Sequence, residues 1–133
     1  MPNSSIELTG AEWAVVKAIW EKEPCTAPEV LERLADRTDW TYSTVRTLMD
    51  RMVAKGLLSV RKEGKLSWFQ SLVNREQAQR GELLYALKHA FDGATAPLVR
   101  CLLDSRGLSE KELDELDALI RERRRSTKSS TGK

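Results

Sequence analysis

The chain is poor in the residues that most often carry metal or nucleophilic chemistry. It has one histidine, His89, and two cysteines, Cys25 and Cys101. No C-x-x-C pair occurs, and no histidine stands at ligand spacing from either thiol, which argues against a zinc site, a redox pair or a disulfide framework. Both cysteines are read as reduced, partly buried thiols, and His89 with Cys101 is too sparse a pair to hold a metal. There is no Gly-rich phosphate loop and no nucleophile beside a base, so no enzyme and no cofactor are implied. No apolar run approaches the ~18 residues of a membrane span. Near the start, Glu7 and Glu12 fall where the apolar core of a signal peptide would lie, and a cytosolic protein is expected. At 41% apolar and 32% charged, the 133 residues have the composition of a folded chain, long enough for one domain or a small domain with an appendage.

The net charge of +2 conceals a strong segregation. Residues 1–40 carry −4, 41–73 carry +4, 74–120 carry −3 and 121–133 carry +5. The last block, "RERRRSTKSSTGK", is polar without apolar periodicity and reads as a helix end passing into a basic disordered tail over 125–133. The block at 41–73 also contains core residues. Charge on a folded element points more directly to a polyanion partner than charge on a tail.

Helix signals recur along the chain. "TGAEW" places Thr9 and Glu12 as a capping box ahead of Trp13, Val16, Ile19 and Trp20 at helical spacing, with Pro24 closing the element. "TAPE" repeats the box with Thr26 and Glu29, Pro28 sits in the first turn, and Val30, Leu31, Leu34 and Ala35 follow as a stripe. A third helix begins near Thr41, with Val45, Leu48, Met49, Met52 and Val53 at i, i+3, i+4, i+7, i+8, and ends at Gly56 in the manner of an αL cap. The period then changes to that of two strands, Leu57 to Lys62 and Leu66 to Leu72, around a turn at Glu63-Gly64. Three short helices closed by a two-stranded hairpin make a winged helix-turn-helix, an α+β and mainly helical class. It is assigned to residues 1–73.

The remainder is helical. "NREQ" starts a run with Leu83, Leu84, Leu87 and Phe91, stopped by Gly93. Pro97 opens a shorter helix with Leu98, Val99, Leu102 and Leu103, and Gly107 breaks it. Ser109 and Glu112 cap a last helix with Leu113, Leu116, Leu119 and Ile120. Three amphipathic helices over 74–124 are few for an independent core. Folding back on the winged helix is one solution. A second copy of the chain is the preferred one, since a leucine-lined helix followed by two short ones suits a two-chain bundle and symmetric dimers are the commonest oligomers. The expected dimerisation residues are Leu83, Leu84, Leu87, Phe91, Leu98, Leu102, Leu113, Leu116 and Ile120.

Away from its core stripe the third helix offers Ser43, Arg46, Thr47, Asp50 and Arg51 in one band, with Thr44 at the edge. Stability alone would favour Glu–Lys pairs over β-branched threonine on an exposed helix face. Arginine and hydroxyl groups match the acceptors and mixed sites of bases in a major groove, read by the N-terminal part of such a helix. The capped start of the second helix, Thr26 and Ala27, is expected to offer N–H groups to a phosphate. Lys62 and Lys65 flank the wing tip, where they meet backbone or minor groove. Double-stranded DNA is therefore the expected partner. The alternative is a winged helix used for protein docking without DNA, which would call for an exposed apolar patch on the third helix or wing. Trp13 and Trp20 are expected to be buried.

"LTGAEWAVVKAIWEKEPCTAPEVLERL", "TYSTVRTLMDRMVAKGLL" and "VRKEGKLSWFQSLVNREQ" resemble the BlaI/MecI/CopY family of bacterial repressors, the penicillinase repressors. The likeness runs from about Leu8 to Ile120. It implies a homodimer that binds a palindromic operator and blocks transcription, with an N-terminal winged helix on the DNA and a C-terminal helical dimerisation domain. It also implies major-groove contacts from Ser43, Thr44, Arg46, Thr47 and Arg51. Two departures stand out. The family's beta-lactam repressors are released when a sensor protease cuts an Asn-Phe bond, and the matching position here is Cys101-Leu102. The copper-responsive members carry paired cysteines near the C-terminus, which "RERRRSTKSSTGK" lacks.

Overall fold

The computed structural model describes residues 5–131, with side chains to residue 128. The elements are α1 Gly10–Glu21, α2 Ala27–Arg33, α3 Tyr42–Ala54, β1 Leu58–Glu63, β2 Leu66–Ser71, α4 Arg75–Ala90, α5 Thr95–Ser105 and α6 Glu110–Thr131. Two compact units divide the chain, Met1–Ala86 and Leu87–Lys133, with the boundary inside α4.

Local chemistry explains where the first helices begin and end. Both capping boxes form. Glu12 N–H donates to Thr9 Oγ1 at 3.1 Å and Thr9 N–H to Glu12 Oε1 at 2.9 Å, and the same exchange links Thr26 with Glu29. Arg33 donates to the carbonyls of Ala18 and Lys22 at 2.9 and 3.0 Å, which ties the end of α1 to the end of α2. Helix α3 closes in a Schellman motif. Gly56 N–H donates to Val53 O at 3.0 Å and Leu57 N–H to Met52 O at 2.9 Å, with Gly56 at φ +82° and Leu57 buried.

One core serves the first unit. Val15, Val16 and Ile19 of α1, Val30 of α2 with its C-cap Leu34, Val45, Met49 and Met52 of α3, and Leu58 and Phe69 of the hairpin are all buried in it. The hairpin is antiparallel, with Val60 opposite Phe69 and Glu63 opposite Leu66. Its two-residue turn is therefore Gly64-Lys65, one position later than Glu63-Gly64. Only Gly64 takes positive φ there, as a type II′ turn requires. Cys25 exchanges backbone hydrogen bonds with Phe69 at 3.0 and 2.7 Å, lending the hairpin a third short partner. Burial pushes the Cys25 thiol above its ordinary pKa, which disfavours the thiolate. Cys101, expected to be partly buried, is exposed on α5.

Trp13 and Trp20 are only half-buried. Each keeps its indole N–H at the edge of the core for a partner, Glu82 Oε1 at 2.9 Å for Trp13 and the Val73 carbonyl at 3.1 Å for Trp20. Ala35, expected in the α2 stripe, is exposed because helix α2 stops at Arg33. Glu12 is buried against Lys55 of the α3 C-cap. Burial opposes its charge, but the Lys55 ammonium and the Thr9 donors outweigh that and hold its carboxyl below the usual range.

Gly81 has a role that the sequence did not suggest. The segment before α1 crosses α4 there, with Ile6 N–H donating to Gln77 O at 3.0 Å. A Cβ on Gly81 would lie 2.0 Å from the Ile6 carbonyl oxygen.

In the second unit, Asp92 and Gly93 take positive φ to end α4, and Ser109 and Glu112 form the reciprocal cap of α6. Helix α6 continues to Thr131, through most of the span expected to be a disordered tail; residues 132–133 lie outside the described residues. No glycine or proline interrupts 110–131, and the cations at its end complement the helix dipole. Among the described residues α5 buries none of its side chains. Leu98 and Leu116 are half-buried, and Leu102, Leu113, Leu119 and Ile120 are exposed.

Replacing Gly81 by alanine forces backbone apart and is expected to destabilise the protein by about 1–3 kcal/mol despite alanine's better helix propensity. Gly10→Ala, where the added Cβ meets nothing within 4 Å, should stay within about 0.5 kcal/mol of the parent. Thermal unfolding of the two variants makes the comparison, and equal midpoints would contradict the close approach.

Candidate nucleic-acid interface

Helix α3 buries Val45, Met49 and Met52 and half-buries Leu48 and Val53. The 100° step of a helix then puts Ser43, Thr47 and Arg51 in one line, i, i+4, i+8, on the opposite side. All three are exposed. With Thr44, and with Trp40, Leu48 and Ala11 of α1, they line a shallow depression. The Arg51 side chain has no ion-pair or hydrogen-bond partner among the described residues.

The start of α3 differs from those of α1 and α2. It has no acid in its first turn, and its N3 residue is Thr44 rather than glutamate. Thr41 caps it, accepting from Thr44 N–H at 3.3 Å, and the hydroxyls of Thr41, Ser43 and Thr44 lie within 3.2 Å of one another in pairs through Thr41. The positive end of the dipole is thus left without a carboxylate beside it.

Arg46 is placed apart from Arg51. It lies on the flank of α3 that meets the hairpin, with Cζ 5.3 Å from the centroid of the Phe69 ring and Nε 3.2 Å from Asp50 Oδ1. The single band expected from the helical wheel is therefore two groups. Ser43, Thr44, Thr47 and Arg51 lie toward α1, and Arg46 with Asp50 lies toward the wing. The Arg46–Asp50 spacing is visible in the sequence as an i, i+4 pair, whereas nothing local announces Phe69.

The wing supplies further cations. Lys62 pairs across from Ser67 and is two residues beyond Val60, the partner of Phe69, so alternation puts it on the sheet face that Arg46 covers. Lys65 is in the turn. Both are exposed, and neither has an ion-pair partner among the described residues. Arg61 is held by Glu63 at 3.0 Å.

Thr26 and Ala27 do not join this surface as expected. Thr26 N–H already donates to Glu29 at 2.8 Å, and both Thr26 and Ala27 are buried. The Glu29 carboxyl is held below its usual pKa, first by that backbone N–H. The Glu29 carboxyl thus takes the Thr26 N–H, one of the donors that the phosphate reading relied on.

Comparison with known proteins adds an independent line. A family model described as penicillinase repressor matches residues 8–122. The methicillin resistance regulatory protein MecI of Staphylococcus aureus (strain N315) is 28% identical over 120 residues, covering 90% of this chain and 98% of that protein. The penicillinase repressor of Bacillus licheniformis is 25% identical over 122 residues, covering 92% and 95%. Among solved structures, the monomeric form of Bacillus licheniformis BlaI in complex with the blaP half-operator aligns at 25% identity and a TM-score of 0.47, over 54% of this chain and 93% of that one. The family match spans the winged helix and continues through the C-terminal helices into α6, and the chain belongs to the penicillinase repressor family.

Proposed function

We propose that the chain is a cytosolic, dimeric transcriptional repressor rather than an enzyme, and that it sets α3 in the major groove of a palindromic operator with its wing against the backbone. The observation that carries this reading is the combination of the family match over residues 8–122 with the composition of the outer side of α3. There Ser43, Thr44, Thr47 and Arg51 face outward and no carboxylate caps the helix start. Hydroxyls and guanidinium suit base edges. Lys62 and Lys65 suit phosphate, which supplies affinity but not sequence choice.

Dimerisation is assigned to the C-terminal helices. Leu83, Leu84, Leu102, Leu113 and Ile120 are exposed in a single chain, and exposed apolar side chains on amphipathic helices favour a covering partner. A second copy would cover it, and two linked reading heads match an operator built as an inverted repeat.

Binding of the full-length chain to a duplex selected from a random pool, and to random duplex, tests the DNA reading. Arg46→Ala is expected to cost about 1–3 kcal/mol on the selected duplex and far less on random duplex. Lys62→Ala should weaken both alike and lower the salt slope by about one. Equal losses from Arg46→Ala on both duplexes would confine Arg46 to phosphate.

The dimer is tested by sedimentation. Leu84→Asp is expected to sediment as a monomer with its helix content intact. A Leu84→Asp dimer as stable as the parent would remove α4 from the interface.

A further inference from the structure

The basic segment 41–73 contains two acids, Asp50 and Glu63, and each is bound to an arginine. Asp50 accepts from Arg46 Nε through both oxygens, at 3.2 and 3.5 Å. The two side chains are 33% and 58% exposed, and an ion pair so open to water adds little to stability. A carboxylate on a face meant for DNA also repels phosphate. Asp50 is therefore unfavourable at this place unless it acts through Arg46.

The geometry indicates how. Asp50 takes the Nε edge of the guanidinium, and its Cζ lies over the Phe69 ring, 5.3 Å from the centroid. A hydrogen-bonded edge and a ring contact together restrict a side chain that is otherwise flexible. Among the described residues, no partner engages the end of the fork, the donors of the two Nη groups. We propose that Asp50 and Phe69 are positioning residues that present Arg46 end-on as a reader of guanine in the operator. The proposal deepens the operator-binding reading above and rests on it.

Two parallel donors meet the N7 and O6 acceptors of guanine, while adenine offers one acceptor and one donor at the same edge. Phosphate could also accept from the fork, but the Asp50 carboxylate travels with Arg46 and opposes that approach. Without Asp50 the arginine is free to swing to the backbone, and the surface gains a positive charge. Binding to any DNA then rises while discrimination falls.

The test uses the full-length chain as parent, Asp50→Ala, Asp50→Asn, Arg46→Ala and the Arg46→Ala/Asp50→Ala double variant. Each is titrated at fixed salt against the selected duplex, random duplex, and a set in which each guanine is exchanged in turn for adenine. Thermal unfolding checks that the exposed substitutions leave the fold unchanged. For one guanine the exchange should cost the parent about tenfold or more in affinity, the range of a bidentate contact. It should cost Asp50→Ala only about threefold or less, with random duplex bound several-fold tighter than by the parent. Asp50→Asn keeps an acceptor for Nε and should restore much of the guanine preference. In the Arg46→Ala background, Asp50→Ala should leave base preference unchanged. A parental penalty at every guanine in Asp50→Ala, or an equal change when Arg46 is absent, would overturn the proposal. A parent that binds selected and random duplex alike would instead overturn the operator reading.

Discussion

Helix α3 is anchored by Val45, Met49 and Met52, each fully buried in a core shared with α1, α2 and the hairpin. Burying each side chain is worth about 1.5–3 kcal/mol, so the helix cannot rotate without losing several kcal/mol. That constraint leaves one side for a partner. It also sets where the wing begins, because the Schellman turn at Gly56 sends Leu57 and Leu58 back into the same core. The exposed side of α3, the start of the wing and the flank contact of Arg46 on Phe69 all follow from one packed stripe.

Electrostatics then divides the labour among the helices. Helices α1 and α2 carry a glutamate in their capping boxes, and those carboxylates are used internally, Glu12 with Lys55 and Glu29 with Thr26. Helix α3 has a hydroxyl cap and no such acid. An anion meeting this unit finds the starts of α1 and α2 already occupied by negative charge and the start of α3 not. The cations left without ion-pair partners among the described residues of α3 and the wing are Arg51, Lys62 and Lys65, whereas Arg46 and Arg61 are each held by an acid.

Much of this was legible in the sequence because its causes are local. Capping boxes, the apolar periods of α1 to α3, the αL glycine and the change to strand period depend on neighbours within a few residues, and they place the elements to within a residue or two. The features that escaped depend on distant contacts. The start of α2 reads as open to phosphate, but Glu29 satisfies the Thr26 N–H. Gly81 is an unremarked mid-helix glycine until Ile6 crosses it. Trp13 and Trp20 follow the core period, but their indole N–H groups reach Glu82 and Val73 at the margin. Arg46 fell in the exposed band by helical angle, and only the fold brings Phe69 beneath it. The wing turn was misplaced by one residue because Gly64 fits either register, and strand pairing decides between them.

The central claim is that the outer side of α3, with the wing, is the surface that meets DNA. Amide chemical shifts of the isotope-labelled full-length chain, followed as the duplex it selects is added, test this most directly. The account predicts the largest changes over residues 42–51 and 61–65, with the start of α2 at Thr26 and Ala27 nearly unmoved. Largest changes at α2 or within α5 and α6, with α3 unaffected, would contradict it.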